Sequence, residues 1–292
     1  MTDIKGTTRV CGLIGNPVGH SISPAIHNNL AALTGNDMVY TTFKVEQGDV
    51  ATAVKGAYSL NILGLNVTVP HKSEVIGALV DIDPLAEAIG AVNTLVRTDG
   101  GYKGYNTDIL GLARELEEEN IELEGADVII LGAGGAARAI TFLCASRKAA
   151  RVYLLNRSVD KAESIAEAVN NHFHNECVVP MNINDYASIP GNGYIVIQTT
   201  SVGLYPDVNS AVIEDDEFYK KAAVGVDIIY NPAVTKFMKL INAQGKRAFN
   251  GLKMLLYQGI SAYELWNDCS ISKENADKVY KILLKSLGIE EA

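Results

Sequence analysis

Residues 126–140, ADVIILGAGGAARAI, limit the folds open to this chain more than any other stretch. A β-branched apolar run ends at Leu131, a glycine turn follows, and a helix-forming segment opens at about Gly135. Gly132, Gly134 and Ala137 stand as G-x-G-x-x-A. In that context Gly132 permits the tight turn, Gly134 lets backbone approach a pyrophosphate, and Ala137 allows the helix to pack closely, while unpaired N–H groups at the helix start attract the anion. A second strand over 151–155 and a helix from 159 to about 173 complete a β-α-β unit. The glycine pattern alone would be weak; framed in this way it predicts a dinucleotide site on a Rossmann-type, doubly wound sheet.

The second strand ends YLLNRSVDKA. An NAD site usually presents Asp or Glu to the ribose hydroxyls here, but Asn156 is neutral and Arg157, Ser158 and Lys161 follow it. A guanidinium can hold a 2′-phosphate by two parallel hydrogen bonds where a carboxylate would repel it. NADP is therefore the expected cofactor. Asp160 dissents, although it points about 100° away from Lys161 on a helix.

Upstream, GLNVTVPHK over residues 64–72 ends a strand-like alternation at Pro70, which lacks a ladder donor, and places Lys72 just past a strand's carboxyl end. Ligands bind at that edge of open α/β sheets, so Lys72 is a candidate acid or base. Strands are expected over 9–14, 39–45 and 62–69, with helices over 24–33 and 47–60, an alternation that suggests parallel β-α-β units. A helix over 108–120 carries the acidic run 115–119, which reads as a solvated face without function. Strands near 194–198 and 225–229 extend the second series, and helices over 252–266 and 273–287 close the chain. The expected fold class is α/β. An N-terminal substrate domain spans 1–106 and is completed by the helices of 252–292; a dinucleotide-binding domain spans 107–251, and a cleft lies between them.

At 292 residues, with 48% hydrophobic and 20% charged, the chain suits two packed domains. A formal charge of −9 with no basic stretch argues against a nucleic-acid partner. Cys11, Cys144, Cys177 and Cys269 form no C-x-x-C pair, so free thiols in a reducing compartment are expected, with no metal site. No apolar run approaches the ~18 residues of a membrane span and no leader pattern opens the chain, which points to the cytoplasm. His20 and His71 are expected to line the cleft, His27 to lie on a helix, and His172 and His174 to occupy a surface loop.

Read together, these motifs resemble the shikimate dehydrogenase family from one end of the chain to the other. GNPVGHSISPAIHN carries Ser21 and Ser23, GLNVTVPHK carries Thr68 and Lys72, GAVNT carries Asn93, and GYNTDILG carries Asp108. GAGGAA, NRSVDKA, DIIYNP and GLKMLLYQG follow in the family's order. Gln198 departs from the asparagine expected before TTSVG, and Leu204 from a frequent methionine, both near the nicotinamide side.

The resemblance implies NADP-dependent reduction of 3-dehydroshikimate to shikimate, on the route to chorismate and the aromatic amino acids. It makes Lys72 and Asp108 catalytic. It gives Ser21, Ser23, Thr68, Asn93, Asp108, Tyr230 and Gln258 to the substrate, and Gly132, Ala133, Gly134, Gly135, Ala136, Asn156, Arg157, Ser158, Lys161, Ile228 and Gly251 to the cofactor. Taken singly, Ser23 and Asp108 read as helix caps and Asn93 as a turn residue; their joint occurrence with Lys72 and the glycine loop favours a site. Two alternatives stand beside this reading: an NAD-using quinate or shikimate dehydrogenase, and a nonenzymatic sensor of shikimate-like ligands. The assembly stays open, a homodimer being one arrangement it allows.

Overall fold

The structure, a computed structural model, describes residues 4–289; residues 1–3 and 290–292, the outer ends of the expected substrate domain, lie outside the described residues. Two compact units divide the chain, one made of residues up to Gly111 with those from Leu255 onward, the other of Leu112–Met254. The first unit opens with β1 (Arg9–Gly15), α1 (Ser23–Thr34), β2 (Met38–Lys44), α2 (Val50–Ser59) and β3 (Gly64–Val67), and both β2 and β3 pair with β1 in parallel. Pro24 fits the first turn of α1, where an N–H would have no helical partner, and Gly35 ends the helix at φ 71°. Strand β3 is shorter than expected. After Val67 the chain turns, the His71 N–H bonding the Thr68 carbonyl at 2.9 Å.

The alternation in sequence pointed to parallel units and left the rest of this sheet unread. Next come β4 (Asp81–Ile82), α3 (Pro84–Ile89), β5 (Thr94–Thr98) and β6 (Gly101–Tyr105), and β5 runs antiparallel to both β3 and β6. The sheet is therefore mixed, in the order β2-β1-β3-β5-β6-β4. Asp99-Gly100 closes the β5–β6 hairpin in two residues, glycine standing where φ is 86°.

Helix α4 (Asp108–Glu118) leads into the second unit, which contains β7 (Asp127–Leu131), α5 (Gly135–Ser146), β8 (Arg151–Asn156), α6 (Val159–Phe173), β9 (Val178–Asn182), β10 (Tyr194–Gln198), α7 (Asp216–Tyr219), β11 (Ala222–Asp227), α8 (Lys236–Ala243) and β12 (Arg247–Asn250). Its six strands are all parallel, ordered β12-β11-β10-β7-β8-β9. The central strands are buried along their length, which is why DVIIL and YIVIQ read as continuous apolar runs. The two edge strands β9 and β12 are only half-buried, and β9 holds Pro180, a residue tolerated at an edge, so neither announced itself in the sequence. Strand order reverses between β7 and β10, leaving a crevice at their carboxyl ends. Helices α9 (Leu252–Asn267) and α10 (Lys273–Ser286) close the chain; from Leu255 onward they belong to the first unit, where α10 packs on α1.

The acidic run on α4 is not the solvated face expected of it. Ile109, Leu112 and Leu116 set the buried stripe of the helix, and Glu115, only 1% exposed, falls inside it. Its carboxyl accepts from the Met254 backbone, while Glu118, at 2.9 Å, and Glu119 both pair with Lys253. Burial pushes the Glu115 carboxyl up to about 8, the Lys253 charge pulling the other way.

Candidate active site

Lys72 lies beyond the turn that ends β3, its carbonyl fixed by the Val92 N–H at 2.8 Å. Its Nζ donates to Asp108 Oδ2 at 2.6 Å, the two side chains being 31% and 16% exposed. Asp108 is the first residue of α4, where the helix's N-terminal dipole favours a carboxylate. The second oxygen, Oδ1, accepts from Asn93 Nδ2 at 2.8 Å. Both oxygens are thus held by donors, the arrangement that favours an oriented anion. Asp108 takes one of the three N–H donors on Lys72.

Behind this pair runs a buried hydrogen-bond chain. Asn93 Oδ1 accepts from the Thr107 N–H at 2.7 Å and from Thr94 Oγ1 at 3.1 Å; Thr94 Oγ1 accepts from Asn66 Nδ2 at 3.0 Å; Asn66 Oδ1 accepts from the Tyr40 hydroxyl at 2.8 Å. Each bond fixes which way the next amide faces, so Asn93 can present only its N–H2 group to Asp108. Tyr40, Asn66, Thr94 and Thr107 escaped the sequence reading. Asn66 offered a signal: a polar residue on the inward face of an apolar strand requires partners.

Other expected substrate residues belong to the first unit as well. Ser21 and Ser23 bring their hydroxyls to 3.1 Å, and the Ser23 N–H at the start of α1 donates to Ser21 Oγ at 3.2 Å. Thr68 lies against the end of β1, where a Cβ on Gly15 would come within 2.3 Å of its methyl group. Gln258 is turned onto its own helix, Nε2 donating to the Leu255 carbonyl at 2.8 Å. Tyr230 is carried by the second unit, just past β11, half-buried, and burial raises its phenol above the ordinary value.

In the second unit the glycine turn has a physical reason at each position. Gly132 adopts φ 113°, and a Cβ there would meet Thr199 Oγ1 at 2.7 Å. At Gly134 and Gly135, a Cβ would meet nothing within 4 Å, which is open space at the start of α5 where Ala133 and Ala136 flank the backbone N–H groups. At the end of β8, Asn156 Nδ2 bonds the Ser158 carbonyl at 2.9 Å, and Ser158 opens α6 with no side-chain cap bond. Arg157 and Lys161 are exposed beside it, and Asp160 is exposed as well. Gly251 passes so close to Ile228 that a Cβ would come within 2.1 Å of the Ile228 carbonyl oxygen. An open glycine cradle, an uncapped hydroxyl and two exposed cations fit a dinucleotide phosphate and a ribose 2′-phosphate.

The histidines divide differently from the expectation. His71 is fully buried and its Nε2 lies 2.8 Å from the Val45 carbonyl, while His20 is exposed. His27 is on α1 as expected, stacked on Tyr40 at 4.1 Å, and burial drives its imidazole down to about 3, so it is neutral. His172 belongs to the last turn of α6, edge-on to Phe142, rather than to a loop; His174 ends that helix at φ 52°. Among the described residues no cluster of His, Cys, Asp and Glu could hold a metal ion, and no helix is long and apolar enough to cross a membrane.

Comparison with known proteins gives a consistent result. The family model described as shikimate dehydrogenase substrate binding domain matches residues 13–95, and that described as shikimate / quinate 5-dehydrogenase matches residues 113–236. The shikimate dehydrogenase (NADP(+)) of Bacillus anthracis is 39% identical over 281 residues, covering 96% of this chain and 99% of its own. Among solved structures, a shikimate dehydrogenase in complex with NADP+ matches with a TM-score of 0.87 at 34% identity, over 97% of this chain and 98% of its own. The shikimate 5-dehydrogenase of Listeria monocytogenes in complex with shikimate and NAD matches with a TM-score of 0.87 at 31% identity, over 96% and 98%.

Proposed function

The chain belongs to the shikimate dehydrogenase family, and from that membership we propose that it catalyses the reversible, NADP-dependent reduction of 3-dehydroshikimate to shikimate in chorismate and aromatic amino acid biosynthesis. The observation that carries the reading is the 2.6 Å contact between Lys72 and Asp108, with the carboxylate held from behind by Asn93. When bound, NADPH supplies the hydride. Lys72 gives a proton to the oxygen of the ketone as charge develops there, and takes it back as a neutral amine in the reverse direction. Asp108 keeps the Lys72 ammonium aimed and accepts from the reacting hydroxyl. Ser21 and Ser23 offer hydroxyl donors to the substrate carboxylate, and Thr68, Tyr230 and Gln258 serve the ring hydroxyls. Asn93 has its oxygen and one amide hydrogen engaged within the protein, which leaves one hydrogen for the ring.

Arg157, Ser158 and Lys161 select the 2′-phosphate, while the glycine turn 132–136, Ile228 and Gly251 hold the rest of the cofactor. An NAD-using quinate or shikimate dehydrogenase draws support from the NAD complex of the Listeria relative, but Asn156 stands where a ribose-binding carboxylate would, with two cations beside it. A nonenzymatic sensor would have no use for a lysine held to a carboxylate by a hydrogen bond. Free thiols at Cys11, Cys144, Cys177 and Cys269 support a cytoplasmic enzyme.

A spectrophotometric assay with 3-dehydroshikimate and each reduced cofactor tests the proposal. NADPH is expected to give the larger kcat/KM, and Arg157→Ala to cost roughly 1.5–3 kcal/mol in kcat/KM for NADPH while barely changing that for NADH. Equal use of the two cofactors by the unmutated protein would overturn the NADP assignment, and no turnover with either would overturn the enzyme.

A further inference from the structure

Gln198 and Asp227 end neighbouring strands, β10 and β11, and face each other across the ladder. Both are fully buried. The Gln198 carboxamide is committed on each side: its oxygen accepts from the Thr200 N–H, and its Nε2 lies 3.1 Å from the Thr200 carbonyl, 3.3 Å from the Val202 carbonyl and 3.3 Å from Asp227 Oδ1. Asp227 Oδ1 also accepts from the Ile229 N–H at 3.0 Å, and Oδ2 accepts from Thr235 Oγ1 at 2.6 Å. Thr235 in turn caps α8, accepting from the Met238 N–H at 3.2 Å. Two side chains therefore tie together the loop after β10, the loop after β11 and the start of α8.

Those loops border the glycine turn and carry the far side of the cradle. Thr199 and Thr200 are the residues a Cβ on Gly132 would strike, and Thr199 Oγ1 donates to the Leu131 carbonyl at 2.7 Å. Ile228 follows Asp227 directly, its N–H bonded to the Gln198 carbonyl at 3.1 Å and its own carbonyl pressed against Gly251. A displacement of either strand end would thus be felt where β7 and β10 part, the crevice in which a nucleotide sits.

We propose that Gln198 and Asp227 form a buried amide–carboxylate bridge that positions the loops on the nicotinamide side, and so sets the affinity for NADPH without touching it. The glutamine is suited to this because its longer arm reaches Asp227 while still holding the Thr200 backbone; an asparagine, shorter by one methylene, reaches one or the other. Burial pushes the Asp227 carboxyl up to about 6, against the bonds from Thr235, Ile229 and Gln198, which marks how much this carboxylate depends on its donors.

The inference rests on the NADP reading, so the test uses two readouts. NADPH binding is followed by fluorescence titration, which needs no turnover, and kinetics are measured alongside. Gln198→Leu, which leaves the Thr200 N–H and Asp227 without their partner, is expected to weaken NADPH binding about tenfold. Its KM for shikimate and its kcat at saturating cofactor should stay within about threefold. Gln198→Asn should fall between it and the unmutated enzyme, and keeps the test open should the leucine variant fold poorly. Combined with Asp227→Asn, Gln198→Leu should add little beyond the larger single effect, as members of one bridge do. NADPH binding unchanged in a folded Gln198→Leu or Gln198→Asn variant would overturn the bridge, as would equal losses in kcat and both KM values. Should the unmutated chain bind NADPH yet turn over no substrate, the functional proposal fails while the bridge is still read by titration.

Discussion

Helix α4 carries two carboxylates seven residues apart, each near a lysine, and the two live under opposite conditions. Asp108 has hydrogen-bond donors on both oxygens, and its lysine, about one-third exposed, bonds to it directly. Glu115 is buried, one of its oxygens has no partner, and the lysine near it spends its charge on Glu118 and Glu119 instead. Burial opposes the charge on Lys253, but the bonds to Glu119 and Glu118 outweigh it and raise its pKa. A lysine beside a carboxylate does not by itself make an acid–base pair. The proposed function gives the pair at the first turn of α4 a proton to move, and its geometry suits that role; two turns on, burial pushes the Glu115 carboxyl up to about 8 and favours its neutral form.

The sharpest way to break this contrast is to remove each lysine in turn. Lys72→Ala should lower kcat by a factor of about 10²–10⁴, the usual worth of a positioned proton donor, while KM for shikimate moves little. Unchanged kcat would remove Lys72 from the mechanism and leave the two groups alike. Asp108→Asn keeps the shape and loses the anion; a decline in kcat of about 10²-fold is expected, with melting temperature changed little, since the amide oxygen can still accept from Asn93. Lys253→Met should show the reverse pattern: kcat within about twofold, but stability lower by roughly 1–3 kcal/mol in denaturant titrations, because Glu118 and Glu119 lose their counter-charge. A catalytic loss with no stability loss in that variant would contradict the assignment of Lys253 to structure.

The same contrast explains what the sequence could reveal. The Rossmann unit was legible because parallel strands covered on both faces write themselves as unbroken apolar runs, and because Gly132 is demanded both by its φ and by Thr199. Lys72 was legible from the end of an apolar run just before it, although β3 stops at Val67, ahead of Pro70. What stayed hidden depended on which way a side chain faces within an element already recognised. A run of charged residues on a helix usually faces water, and although its spacing from Leu112 sets Glu115 within the apolar stripe, no nearby residue announces a partner; Lys253, which pairs with its neighbours, lies more than 130 positions away in the chain. The chain from Tyr40 to Asn93 is similar: its members come from β2, β3 and β5, and only the mixed sheet order lines them up. The Asp99-Gly100 dipeptide is the local signal for the β5–β6 hairpin, but nothing local sets β5 against β3.

The finest test of the contrast is Glu115→Gln, where no effect on activity and little on stability at low pH is expected, and the pH dependence carries the information. Folding raises the Glu115 pKa from its ordinary value of 4.5 to about 8, so between those values the folded chain holds a proton that the unfolded chain has released. The stability this group contributes is complete below pH 4.5, is drawn down as pH rises through the window, and is lost above about 8. An amide repeats the shape of the neutral acid and cannot ionise. At pH 5 the variant and the parent should therefore differ by less than about 1 kcal/mol, and the gap should widen by up to about 1.4 kcal/mol per pH unit, so that by pH 8 the variant is the more stable by several kcal/mol, with kcat unaltered throughout. Urea titrations at pH 5, 6.5 and 8 would show the two stability curves diverging upward with pH. Parallel curves would mean that Glu115 is ionised at neutral pH and bonded well enough to bear it, and the distinction between Asp108 and Glu115 would then be one of exposure alone.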